Sequence, residues 1–103
     1  MKYNKLVRDK IIDIVRADGK VPSYRVADDD EYETYLQEKL VEESNEFFQN
    51  PSSIEMADIF EVLDAMIEYY GLDRYIVETD QESKRWGRGG FTKKIILEEV
   101  KES

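Results

Sequence analysis

The sequence predicts a mostly α-helical chain: an antiparallel bundle of about four helices with a small two-stranded sheet. Three observations predict it. Two long stretches, 28–49 and 54–70, repeat their apolar residues at helical rather than strand spacing. The connection between them, Asn50-Pro51-Ser52-Ser53, is short enough to make the two helices antiparallel neighbours. Two shorter segments, 22–27 (PSYRVA) and 91–100 (FTKKIILEEV), read as strands that are expected to pair against the helices.

Taken in order, Asn4 is a candidate cap for a first helix running to about Ala17, with Leu6, Val7, Ile11, Ile14 and Val15 at helical spacing and Gly19 as its stop. The run Asp28-Asp29-Asp30 puts negative charge at the start of a second helix, where the helix dipole favours it, and that helix continues to about Gln49. Pro51 breaks it, and Ser52 or Ser53 can cap the third helix, which runs from about Ile54 to Tyr70 and stops at Gly71. Asp73 opens a fourth helix, expected to end before Gly87. With 103 residues and no linker or repeat, one domain over 1–103 is expected.

Composition narrows the chemistry. There is no cysteine and no histidine, so thiolate sites, zinc-type imidazole sites and a histidine base are all excluded. Any metal site must be built from oxygen ligands, which suits magnesium, manganese or calcium. A net charge of −9 opposes binding to nucleic acid, and no apolar run reaches membrane-spanning length. MKYNKLVRDK lacks the apolar core of a signal peptide, so a cytoplasmic protein is expected. A small chain with a limited core is also expected to self-associate as a dimer or larger.

Charge is unevenly placed. Residues 1–25 hold seven basic residues and three acids; residues 26–80 hold seventeen acids with only Lys39 and Arg74 against them; residues 81–103 are basic again. That pattern fits a metal scaffold with phosphate-binding arms. It fits equally a solvated helix pair whose ends fold back to neutralise it.

Plotted at roughly 100° per residue, Glu31, Glu38 and Glu42 line the polar face of the second helix, and Glu61, Asp64 and Glu68 that of the third. Glu43 and Glu46 instead project with Tyr32, Leu36, Leu40 and Phe47, whereas Glu55 and Asp58 share a sector with Ile59, Val62, Ala65, Met66 and Tyr69. Two pairs of carboxylates spaced i,i+3 therefore aim at the apolar stripe, one pair on each of two neighbouring helices. Four acids converging at an apolar boundary repel one another and lose hydration unless a cation compensates them, and a divalent metal is the simplest compensation. Lys39 is the lone basic residue of the second helix and lies one turn before Glu43 on the same side.

The residues Glu42-Glu43-Ser44-Asn45-Glu46 followed by Glu55-Met56-Ala57-Asp58 resemble the EExxE…ExxD signature of the all-α nucleotide pyrophosphohydrolases, which include MazG, the phosphoribosyl-ATP pyrophosphohydrolases and the dimeric dUTPases. Lys39 resembles the lysine of the Lys-x-x-Glu-Glu form in the phosphoribosyl-ATP branch. The opening Tyr3-Asn4-Lys5-Leu6-Val7-Arg8-Asp9-Lys10 and the late Gly89-Gly90-Phe91 are similar to a compact MazG-like group of house-cleaning pyrophosphatases. Only eight residues separate Glu46 from Glu55, a shorter interval than most of that superfamily uses, which implies a tighter helix pair and a smaller or reshaped base pocket.

The resemblance implies Mg²⁺-dependent cleavage of a nucleotide between its α and β phosphates, with Mn²⁺ a possible substitute. It assigns Glu43, Glu46, Glu55 and Asp58 to metal binding and catalysis. Lys5, Arg8, Lys39, Lys84, Arg85 and Arg88 become candidate phosphate contacts, although a solvated surface charge is the commoner outcome for any one of them. Glu42 is either a supporting partner or a surface acid, and its polar-face direction favours the surface. The competing reading is a non-catalytic acidic helical module that docks a basic partner. A further reading, a calcium-binding structural domain, is disfavoured because Asp28-Asp29-Asp30 lacks the alternating ligands and glycine of a calcium-binding loop.

Overall fold

Helix caps set the architecture. The computed structural model describes residues 4–102 and contains four helices: α1 (Ile11–Ala17), α2 (Asp29–Gln49), α3 (Ser53–Tyr69) and α4 (Arg74–Arg88). Asp28 caps α2 by accepting a hydrogen bond from the backbone N–H of Glu31 at 2.9 Å, and three further acids occupy the first turn, where the dipole stabilises them. Ser52 does the same for α3, accepting from the Glu55 N–H at 3.2 Å. The last turn of α3 is closed by Gly71, whose φ of 66° is open to glycine and strained for other residues; its N–H reaches the Glu68 carbonyl at 3.1 Å. No helix among the described residues is long and apolar enough to cross a membrane.

The chain divides into two compact units, Met1–Gly71 and Leu72–Ser103. In the first, α2 and α3 pack side by side. The three-residue connection turns the chain back on itself. At the far end, the Tyr69 hydroxyl donates to the Asp29 carbonyl at 3.1 Å, and the Tyr69 ring meets that of Tyr32 edge-on at 5.5 Å. Both ends of an antiparallel pair are thereby tied. Among the described hydrophobic residues, only Leu36 on α2 and Val62 on α3 are buried, one on each helix of this pair. The second unit is α4, capped by Asp73, which accepts from the N–H groups of Tyr75 and Ile76 at 2.8 and 3.2 Å, followed by an irregular tail.

Three sequence expectations are corrected. The sheet is absent among the described residues: neither 22–27 nor 91–100 forms a strand. A strand exists only where a partner takes its backbone groups, and the only loop hydrogen bond along 91–100 is the turn from the Lys94 N–H to the Phe91 carbonyl. The apolar pattern of both segments was genuine, yet Val26, Phe91 and Ile96 stay exposed. The first helix begins at Ile11 instead of after Asn4. Asn4 sits at a φ of 47°, in the left-handed region and not the extended backbone that a cap requires. Residues 5–10 lie outside the helix, where Lys5 and Arg8 reach acids on α2 and α3. Finally, α4 runs through Gly87 and ends at Gly89, because a single glycine inside a helix is tolerated at a cost of about 1 kcal/mol. Tyr3, the first residue of the opening motif, lies outside the described residues.

Candidate metal centre

The tight α2–α3 connection brings the C-terminal half of α2 against the first two turns of α3. Glu43 projects from α2 into the seam, Glu55 sits in the first turn of α3, and Asp58 follows one turn later. One carboxylate oxygen from each of these three lies within 4.8 Å of the others. Glu43 is buried at 7% exposure, and Glu55 and Asp58 are half-buried. Glu43 Oε2 and Glu55 Oε2 are buried without a hydrogen-bond partner. A buried charged oxygen without a donor costs several times a surface one, so these two atoms are the least satisfied in the described structure. Both belong to residues of the triad.

Glu46 stands outside this triad. It is exposed, and it lies beside Glu43, whose carboxyl shares a hydrogen bond with it and repels its charge; both effects push the Glu46 carboxyl above the ordinary carboxylate range. The sequence placed all four acids together. The structure brings three together and leaves the fourth adjoining.

The basic candidates separate into two groups. Lys39, little exposed, reaches Glu43 Oε1 at 3.2 Å and Glu42 Oε2 at 3.4 Å. Lys5 reaches Glu42 Oε1 at 3.0 Å, and Arg8 reaches Asp58 Oδ1 at 2.8 Å and Glu61 Oε1 at 3.7 Å. The basic N-terminal segment therefore folds back over the acidic helices, which is the N-terminal half of what the fold-back charge reading expected. Lys84, Arg85 and Arg88 are exposed on α4, in the other compact unit.

Glu42 is more than a surface acid. Burial works against its charge, but the hydrogen bond from Lys5 and the charge of Lys39 outweigh burial and hold its carboxyl below the usual range. Lys5 is correspondingly raised, first by that hydrogen bond. The sequence reading missed Glu61 as the second partner of Arg8; its i,i+3 spacing from Asp58 was the available signal.

Six carboxylates (Glu42, Glu43, Glu46, Glu55, Asp58 and Glu61) surround three cations (Lys5, Arg8 and Lys39), a surplus of three negative charges. An all-oxygen donor set, two unsatisfied buried oxygens and surplus negative charge fit a hard divalent cation that keeps some of its water. Alongside lies a cleft of about 510 Å³, a volume suited to a small molecule. Leu36, Val62 and Tyr32 give it an apolar wall, Leu6 to Lys10 form another side, and Lys39 with the acids Glu43, Asp58, Glu61, Asp64 and Glu68 line the rest. Comparison with known protein families, with curated proteins and with solved structures finds no match.

Proposed function

We propose that this chain is a Mg²⁺-dependent nucleotide pyrophosphohydrolase that cleaves between the α and β phosphates, releasing a nucleoside monophosphate and pyrophosphate. The observation that carries the reading is the meeting of Glu43, Glu55 and Asp58 at one spot, with two buried oxygens lacking donors, beside a cleft of nucleotide-compatible size. The resemblance of Glu42–Glu46 and Glu55–Asp58 to the EExxE…ExxD signature supports it independently. In this reading the acids of the triad hold the ion, with Mn²⁺ an acceptable replacement. Bound there, the ion supplies charge neutralisation at the phosphate oxygens and a more acidic water.

The chain's own residues do the rest. Glu46, adjoining Glu43 and with its carboxyl pushed upward, is suited to take a proton from the attacking water. Arg8 and Lys39 stand at the cleft with their charge directed toward the acids, where they can turn to the transferred phosphates. Lys5 sustains Glu42, which in turn holds Lys39. The apolar wall receives the base and excludes water from it. Nucleotide-pool house-cleaning is the role this activity serves.

A pyrophosphate-release screen over normal and damaged nucleoside triphosphates, with and without Mg²⁺, tests the proposal. Glu43→Gln and Asp58→Asn are each expected to lower turnover by roughly 10²–10³-fold with unchanged helical circular dichroism. Full activity in both variants sinks the assignment. The second reading, an acidic interaction module, is favoured by the ion pairs that already occupy Glu42 and Asp58. It expects no pyrophosphate release and stability indifferent to divalent cations.

A further inference from the structure

The cleft beside the triad runs along the α2·α3 pair, and its two ends differ in how their charge is met. Glu43 and Asp58 line one end, Tyr32 and Glu68 the other, and Leu36 and Val62 come between them along the two helices. The stretches from Tyr32 to Glu43 and from Asp58 to Glu68 each span about 15–17 Å at the helical rise. The edge-on contact of the Tyr32 and Tyr69 rings, at 5.5 Å, shows that the start of α2 meets the end of α3 at the far end. At the near end, Glu43 is only 7% exposed and its Oε2 has no donor, so a ligand is needed to complete that end.

Among the described residues, the basic side chains that line the cleft are Arg8, Lys10 and Lys39. Arg8 is engaged at the triad end by Asp58 and Glu61, and Lys39 by Glu42 and Glu43. That sets Lys10 against Asp9, Asp64 and Glu68 for the rest of the lining, a formal excess of two negative charges. The excess is felt at the aromatic ring. Burial first, then the charges of Glu68 and Asp9, push the Tyr32 phenol above its ordinary range. A field that opposes a phenolate at this ring favours a cation beside it.

We propose that the far end of the cleft selects nucleotides whose base carries a positive charge, such as a purine alkylated on a ring nitrogen, through the Tyr32 ring and the carboxylates of Asp9 and Glu68. A cationic heterocycle is attracted to the face of a tyrosine, and its N–H groups donate to carboxylates, which at neutral pH only accept. The flat apolar wall of Tyr32, Leu36 and Val62 suits a planar ring, whereas a flexible aliphatic diamine would meet the acids and leave that wall unused. Alkylation of a ring nitrogen is also a form of damage, which suits a house-cleaning role. The inference rests on the pyrophosphohydrolase reading for the place of the phosphates at the triad; the charge of the far end does not.

The test pairs 1-methyladenosine, a cation at neutral pH, with its neutral isomer N6-methyladenosine, so that charge differs and the methyl group does not. Titrated calorimetrically into the metal-free chain at low ionic strength, the cation is expected to bind about tenfold tighter, the worth of a half-exposed cation–ring contact together with exposed ion pairs. Glu68→Gln and Asp9→Asn are each expected to cut that ratio to about threefold or less, whereas Glu38→Gln, which removes the same charge outside the cleft, keeps it. Circular dichroism checks the helices of Glu68→Gln; Asp9 lies outside them, so Asp9→Asn decides if the other variant unfolds. Equal affinities, tighter binding of the neutral isomer, no binding of either at millimolar concentration, or a ratio untouched by both variants overturns the proposal. Pyrophosphate release from the two isomeric triphosphates is read separately. Equal release with equal nucleoside affinities leaves the activity standing and removes the selectivity; no release alongside the expected affinity ratio does the reverse.

Discussion

The two faces of the α2·α3 pair are built on the same helices yet are resolved by opposite means. On one, acids crowd together and the chain brings its own cations, Lys5, Arg8 and Lys39, to meet them. On the other, Phe60, Leu63, Val41 and Phe48 stay uncovered. The difference follows from range and area. A charge is compensated by one residue on a short segment, because Coulomb attraction acts through a single contact. An apolar stripe needs several hundred Å² of matching surface, which a ten-residue segment does not carry.

Removing the seam between the faces is the most damaging way to break this comparison. Leu36, 2% exposed, is expected to cost about 2–5 kcal/mol on truncation to Ala, lowering the melting temperature by more than 8 °C. Differential scanning fluorimetry reads it. A shift under 3 °C means that the pair is held together elsewhere.

Next comes the ion. Mg²⁺ at about 100 times its dissociation constant is expected to stabilise the parent by about 2.7 kcal/mol, and Glu43→Gln is expected to lose most of that gain. Glu43→Gln is also expected to raise the stability of the metal-free chain, because it relieves the repulsion of Glu43 with Glu46, Glu55 and Asp58 while Lys39 keeps its contact with Glu42. A melting temperature indifferent to Mg²⁺ moves the acidic face to the structural reading.

Smaller again is Arg8→Gln. The pair with Asp58 is half-exposed, so its loss is expected to change stability by less than about 1 kcal/mol. Calorimetric Mg²⁺ affinity is expected to rise, since the guanidinium no longer competes for Asp58. A fall in affinity shows instead that Arg8 holds Asp58 in position for the ion.

The least effect is in pH. Glu46 is raised above its ordinary value of 4.5 by Glu43, so folding favours its protonated form; that contribution is complete below 4.5 and is lost as pH rises through the elevated folded value. Glu42 is lowered, with Lys5 and Lys39 overcoming burial, so its contribution is present above 4.5 and lost as pH falls through the lowered value. Their joint contribution is expected to be greatest near the ordinary value of 4.5 that they share and to fall away on either side, and Mg²⁺ is expected to flatten its alkaline side. Urea melts across a pH series check this; a maximum absent without metal removes the Glu43–Glu46 repulsion from the account.

Helices α2, α3 and α4 were legible in the sequence because their signals are local. Asp28, Ser52 and Asp73 cap through bonds made within three residues, and helical periodicity needs no distant partner. The direction of Glu43, Glu55 and Asp58 toward the apolar seam was legible for the same reason. Only the tertiary structure decided whether 22–27 and 91–100 found strand partners, where the first helix begins, and that Lys5 and Arg8 spend their charge on Glu42 and Asp58. Each depends on residues far apart in the chain, separated by 37 and 50 positions in the two ion pairs. Helical wheels give the bearing of a side chain but not its reach, which is why Glu46 shares the predicted sector and still stands outside the triad.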